Sequence, residues 1–299
     1  MVYTLTLNPA LDYAVYVADF ALGKTNRSYG EQLDFGGKGI NVSYILHELG
    51  VDTTALGFVA GFTGGALRQL LENTGVACDF VELPCGMTRI NVKIKGAHES
   101  EINAQGPQID EASLTALYAK LDALTDGDVL LLAGSVPKSL PRDIYEQIMA
   151  RLEGKGVRFA VDAEGQLLLN TLKYRPFLIK PNRDELCGVA GRHLESDAEL
   201  LDVARQLQAA GARNVLVSLG GDGALLLDEE GKVHRQPAAS GTPVNTVGAG
   251  DSMVAGFLAG ADRGYEYALR LGLAAGGATA FSPVLATKAE IERLMDDGK

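Results

Sequence analysis

Short runs of consecutive apolar residues recur along the chain, each followed by a polar, glycine-containing turn and then by a segment with helical spacing. Val2-Tyr3-Thr4-Leu5-Thr6-Leu7, ended by Asn8-Pro9, is the first and reads as a central strand. Asp128–Ala133, Val157–Val161 and Asn214–Leu219 read as further buried strands. Apolar residues at helical intervals predict helices over Asp110–Leu124, Pro141–Glu153, Ser196–Ala210 and Tyr265–Phe281. A glycine separates helix from strand at Leu49-Gly50-Val51, Thr74-Gly75-Val76, Lys155-Gly156-Val157 and Ala210-Gly211-Ala212, where a left-handed helix cap belongs. This alternation predicts an α/β fold, a mostly parallel sheet covered by helices.

Two stretches break the rhythm. Ala14–Val17, Ser28–Leu33 and Thr88–Ile94 alternate polar and apolar residues with period two, as half-buried antiparallel strands do. They predict a small antiparallel β lid, made of 12–35 and 87–105, inserted in a main domain made of 1–11, 36–86 and 106–299. Arg89, Asn91 and Lys93 share one face of the third stretch. Such residues usually form a solvated face, whereas an arginine on a lid strand is also suited to clamp a phosphate.

Composition narrows the partners. With 46% hydrophobic and 22% charged residues, the 299-residue chain is expected to be a soluble globular protein. A net charge of −11 argues against nucleic acid or an anionic membrane as partner. An anionic substrate therefore needs a local basic pocket. No stretch suffices to span a bilayer, and Met1-Val2-Tyr3-Thr4 does not open a leader peptide. Cys78, Cys85 and Cys187 lack metal-type spacing and are expected to be reduced thiols, which points to a cytoplasmic location. The four histidines show no triad or metal spacing.

Candidate chemistry concentrates in Asn245-Thr246-Val247-Gly248-Ala249-Gly250-Asp251-Ser252, a glycine turn running into an apolar helix. The N–H groups of such a turn, at the positive end of a helix dipole, favour an anion. Asp251 in the first turn is placed to take a hydroxyl proton beside it, the pairing that phosphoryl transfer needs. A helix-terminal setting is expected to keep that carboxylate ionised, with no need for a raised pKa. Gly36-Gly37-Lys38-Gly39 lacks the spacing of a P-loop and is either a close-approach surface for a ligand or a joint between subdomains. Asn182 and Glu185, three apart at a helix start, either reach a hydrated magnesium ion or cap the helix. Asp12 either caps a turn or holds hydroxyl groups. Polar and glycine residues also follow the strands at Gly134, Asp162, Lys180 and Ser218, where open α/β sheets bind ligands.

The ordered set Asn8-Pro9-Ala10-Leu11-Asp12, Gly36–Asn41, Thr88–Lys93, Lys180–Glu185, Ser218–Gly223 and Val247–Ser252 resembles the PfkB branch of the ribokinase-like sugar kinases over essentially the whole chain. The resemblance implies a three-layer ribokinase-like sandwich with a β lid. It implies ATP-dependent phosphorylation of a sugar that already bears a phosphate, fructose 1-phosphate ahead of tagatose 6-phosphate. A non-catalytic sugar-phosphate sensor is the alternative of another class. By the same resemblance Asp251 is the general base, and the backbone of Gly248, Ala249 and Gly250 the anion hole. Asp12, Gly37 and Asn41 hold sugar hydroxyls; Lys38 and Arg89, with Arg27 the weaker candidate, hold the sugar's phosphate. Lys180, Asn182 and Glu185 manage ATP phosphates and Mg²⁺, the last two through water. Ser218, Gly220, Gly223 and Asn245 line the nucleotide site, and a homodimer forms through the lid. Ala163 and Glu164 depart from the small hydroxyl residues that relatives carry there, and Glu164 places an additional carboxylate near the phosphates.

Overall fold

The computed structural model describes residues 1–297. The strands are β1 (Val2–Thr6), β2 (Ala10–Val17), β3 (Ser28–Gly36), β4 (Thr53–Ala60), β5 (Ala77–Cys78), β6 (Val81–Leu83), β7 (Arg89–Lys95), β8 (Ser100–Ile102), β9 (Val129–Ala133), β10 (Arg158–Asp162), β11 (Leu178–Ile179), β12 (Asn214–Ser218), β13 (Ala224–Leu227) and β14 (Val233–Gln236). The helices are α1 (Lys38–Glu48), α2 (Gly61–Glu72), α3 (Glu111–Asp122), α4 (Ile144–Arg151), α5 (Gly165–Thr171), α6 (Arg183–Ala190), α7 (Asp197–Ala209), α8 (Ala249–Gly260), α9 (Tyr265–Ala280) and α10 (Lys288–Asp297).

The main sheet runs β14-β13-β12-β11-β10-β9-β1-β4-β5, with β6 also on β4. It is parallel from β12 to β5 and ends in the antiparallel hairpin β13–β14. Alternation along the buried strands divides the core. On β9, Leu130 and Leu132 face one apolar layer with Leu117, Ile148 and Leu200. Val129, Leu131 and Ala133 face the other, with Val42, Phe257 and Leu269. Both faces being buried is why these strands read as unbroken apolar runs. The predicted cap glycines Gly50, Gly75, Gly156 and Gly211 all take positive φ.

The second sheet has the order β3-β2-β7-β8. Its β2–β3 and β7–β8 pairs are antiparallel, as the alternation suggests, but β2 and β7 pair in parallel. The two enter the lid separately from the same end of the main domain, so they run side by side rather than as a hairpin. Glycine-rich α2 and the β13–β14 hairpin carry weak periodicity and were not expected as elements. Among the described residues no helix is long and apolar enough to cross a membrane. The three cysteines are free thiols.

Candidate active site

The site is built at the carboxyl ends of the parallel strands, where α1 and α8 begin. Gly37 has φ +126°, and a Cβ there would stand 2.8 Å from Thr6 Cγ2; one on Gly39 would stand 2.6 Å from Thr6 Oγ1. The glycines thus let the start of α1 lie directly on β1, which is a third reading beside the two that the sequence allowed. Seated there, Lys38 donates to Asp162 Oδ1 at 3.0 Å. Lys180, which follows β11, approaches the same oxygen at 3.5 Å. Asp162 ends β10 and is 1% exposed, while its Oδ2 has no hydrogen-bond partner among the described residues. Burial alone would push its pKa up, but Lys180 and Lys38 together hold it below the usual carboxylate range. Burial likewise opposes the charge on Lys38, and Asp162 and Asp251 overcome it and hold its pKa high.

Beside this cluster, Gly248 opens α8 in the left-handed conformation (φ +81°) with no side chain capping the helix. The first-turn N–H groups of an uncapped helix lack intrahelical acceptors and lie at the positive end of the dipole; here Ala249 N donates to Thr246 O at 3.3 Å. Lys180 Nζ lies 3.4 Å from where a Cβ on Gly250 would be, so the ammonium stands against that helix start. Asp251, buried in the same turn, accepts a 2.8 Å hydrogen bond from Asn41 Nδ2. Its expected unshifted pKa is not what the structure gives. Burial first, and the charge of Asp162 second, push it up to about 6, against the opposing bond from Asn41 and the two lysines. Helix position is visible in sequence; the neighbouring acid, 89 residues away in the chain, is not.

Asn182 and Glu185 form a complete capping box. Asn182 Oδ1 accepts from Glu185 N at 2.8 Å, and Glu185 accepts from Asn182 N at 2.9 Å and Asn182 Nδ2 at 3.0 Å. Burial raises the Glu185 pKa, and Lys180 and Asp162 lie close enough to act on it from opposite directions. Each carboxylate oxygen keeps a second acceptor position. Among the described residues no group of three or more His, Cys, Asp or Glu is arranged to hold a metal ion. A magnesium held chiefly by phosphates and water needs only one or two carboxylates. Glu185, with Asn182 beside it, fits that demand.

On the lid side, Asp12 accepts from Asn91 Nδ2 at 3.0 Å and from Lys93 Nζ at 2.9 Å. Arg89 donates through Nε to Asn8 O at 3.1 Å and through Nη1 to Ala104 O at 3.4 Å. Lys38 and Arg89, both expected at the sugar's phosphate, make separate contacts here. Lys38 belongs to the Asp162 cluster, Arg89 to the place where the chain enters and leaves the lid. Arg27 is exposed between β2 and β3, and among the described residues its side chain makes no ion pair or hydrogen bond. A cavity of about 740 Å³ runs between lid and main domain past Asp12, Asp34, Asn41, Lys93, Asn245 and Leu285.

Among the residues expected at the nucleotide, Ser218 ends β12 and its N–H donates to Pro181 O. Gly220 takes φ +57° with open space around it, whereas a Cβ on Gly223 would overlap the Gln236 carbonyl. Asn245 fixes its own loop, accepting from Val247 N and donating to Pro283 O. Glu164 is exposed, so its carboxylate is solvated. The site residue to which the sequence assigned no role of its own is Asp162, noted only among the polar residues at strand ends where α/β sheets bind ligands. An aspartate closing an apolar strand is the one signal that pointed to it.

The buried Asp251 carboxylate at an uncapped helix start, with the buried Lys180 and the half-buried Lys38 nearby, sits in an α/β fold of the ribokinase-like class. Residues 5–291 match the pfkB family carbohydrate kinases, and the chain belongs to that family. It is 44% identical over 301 residues to 1-phosphofructokinase of Bacillus subtilis, covering 100% of this chain and 99% of that protein. It is 37% identical over 296 residues to D-tagatose-1-phosphate kinase of Bacillus licheniformis, covering 98% and 97%. The structure of Escherichia coli phosphofructokinase-2 in complex with substrates and products superposes with a TM-score of 0.94 at 28% identity, over 99% of each chain. The chain is thus a sugar-phosphate kinase, and the sensor alternative falls away.

Proposed function

We propose that the protein transfers the γ-phosphoryl group of ATP to the free 6-hydroxyl of D-fructose 1-phosphate, giving fructose 1,6-bisphosphate and ADP. The observation that carries this reading is the buried Asp251 carboxylate, held by Asn41 at the open start of α8 with Lys180 beside it. Asp12, Gly37 and Asn41 hold the sugar's hydroxyls, and Arg89 binds its phosphate by exchanging the Asn8 and Ala104 carbonyls for phosphate oxygens. Arg27 serves the same phosphate only if the lid or a second subunit brings it inward. Lys38 moves to the transfer centre, because its ammonium already sits on Asp162.

The sugar hydroxyl loses its proton to Asp251 as its oxygen bonds to the γ-phosphorus. The bond to the β–γ bridging oxygen breaks and ADP leaves. With a pKa of about 6, Asp251 is mainly ionised at neutral pH and ready to accept that proton. Lys38, Lys180 and the Gly248, Ala249 and Gly250 backbone stabilise the charge on the transferring group. Ser218, Gly220, Gly223 and Asn245 border the nucleotide. Bound through water near Glu185 and Asn182, Mg²⁺ supplies charge neutralisation to the ATP phosphates. Lid closure over the cavity excludes water, so that the sugar is the acceptor. The protein acts in the cytoplasm as a homodimer formed through the lid, whose exposed Leu22, Tyr29 and Ile102 support that surface.

A second substrate has support. The Bacillus licheniformis relative carries the name of a tagatose-1-phosphate kinase, so the alternative shifts from tagatose 6-phosphate to tagatose 1-phosphate. Coupled ADP release with fructose 1-phosphate, tagatose 1-phosphate, tagatose 6-phosphate and fructose 6-phosphate separates them. The expected result is the highest kcat/KM for fructose 1-phosphate. A preference for any other sugar overturns the substrate assignment.

A further inference from the structure

Lys93 has no part in the roles given above, yet it is the ammonium that lies deepest in the lid. Its side chain is 13% exposed and lines the cavity, and it pairs with Asp12 Oδ2 at 2.9 Å. Three neighbouring strands present polar groups in one row here: Asp34 on β3 is the register partner of Asp12 on β2, which is the partner of Asn91 on β7. Asp34 is half-buried, receives a 2.7 Å bond from Gln32, and has its pKa raised by burial and by Asp12. One lysine thus serves two adjoining carboxyl groups. Gly36 closes the last side, since a Cβ there would stand 2.6 Å from Asp12 Cγ and 2.7 Å from both of its oxygens.

We propose that Lys93 is a positioning residue that sets sugar specificity, fixing with Asn91 the Asp12 carboxylate so that its two remaining acceptor positions meet two adjacent hydroxyls of the ketohexose 1-phosphate. This rests on the substrate reading above. Each carboxylate oxygen accepts two hydrogen bonds, and Asn91 and Lys93 occupy one on each, leaving one per oxygen in a set direction. A carboxylate held at both ends reads the relative orientation of neighbouring hydroxyls. Fructose and tagatose differ only in the configuration at C4, so a fixed Asp12 distinguishes them and a loose one does not. Without Lys93, Asp12 and Asp34 repel across their strand pair, and the carboxylate turns away from its partner.

The test is steady-state kinetics of Lys93→Met, Lys93→Arg and Gly36→Ala with fructose 1-phosphate and tagatose 1-phosphate, each variant checked for an unchanged melting temperature. Losing a charged hydrogen bond that orients a substrate contact raises KM for fructose 1-phosphate by about 10-fold to 100-fold in Lys93→Met. KM for ATP stays within about two-fold, and the preference between the epimers shrinks towards one. Lys93→Arg recovers most of both effects. Gly36→Ala, which displaces the same carboxylate from the opposite side, reproduces the loss without touching Lys93. Unchanged sugar KM and epimer ratio in Lys93→Met overturn the proposal, and so does an equal rise in both KM values. A wild-type protein that turns over neither sugar 1-phosphate overturns the substrate reading instead.

Discussion

Asp251 carries a cost that shows which property it is kept for. A carboxyl group whose pKa is raised on folding favours the folded state when protonated, and that contribution disappears as pH rises through about 6. Against an ordinary value of 3.8, the shift amounts to at most about 3 kcal/mol of destabilisation once the group is ionised. Asp251→Asn removes the charge and keeps the shape. Its melting temperature should exceed the wild type's by a few degrees at about pH 8, with the gap closing as pH falls towards 4. Turnover should drop by about 10²-fold to 10⁴-fold, the range for loss of a general base. Thermal melts across pH and kcat measurements check both halves; a variant both less stable and fully active contradicts the assignment. In the wild type, kcat/KM should fall about ten-fold for each pH unit below 6, as the base becomes protonated.

At the scale of elements, the start of α8 and the α6 cap separate geometry from chemistry. Gly250 has ordinary φ and space for a methyl group in contact with Lys180, so Gly250→Ala should fold at least as stably as the wild type. The added methyl group stands over the helix N–H groups, so its kcat should still fall by about 10²-fold or more. Gly248→Ala fails differently: at φ +81° and 2.6 Å from Leu285 Cδ2, the new Cβ should cost about 1–2 kcal/mol of stability. For α6, Glu185→Gln keeps an acceptor for the cap yet removes the charge. Its melting temperature should stay near that of the wild type while the Mg²⁺ half-saturation concentration rises about 10-fold to 100-fold. Equal magnesium dependence in the two proteins reduces Glu185 to a cap. The sequence allowed both roles for Asn182 and Glu185, because a capping box and a water-mediated metal site need the same residue types three apart.

At the scale of the molecule, the central sheet was legible because strands buried on both faces read as plain apolar runs, and the β lid because its strands alternate. Pairing was less so: the parallel β2–β7 contact joins strands separated by some seventy residues of intervening fold, and alternation carries no direction. The site followed the same division. Asp251 and its glycine turn are local in sequence, whereas the Lys38–Asp162–Lys180 cluster joins three elements and exists only once the sheet is assembled. The lid also leaves Leu22, Tyr29 and Ile102 exposed on one small sheet and its loop. Light scattering should give twice 31.6 kDa for the wild type and a shift towards monomer for Tyr29→Asp. A wild-type monomer at the same concentration contradicts lid pairing.

The reaction joins these scales, and its product reports on it directly. Phosphorus NMR of the mixture formed from fructose 1-phosphate, ATP and Mg²⁺ should show a second phosphate ester on C6, with ADP in equal amount and none of either in Asp251→Asn. An ester on any other carbon, or ADP and free phosphate without a bisphosphate, would contradict an Asp251 that activates the 6-hydroxyl.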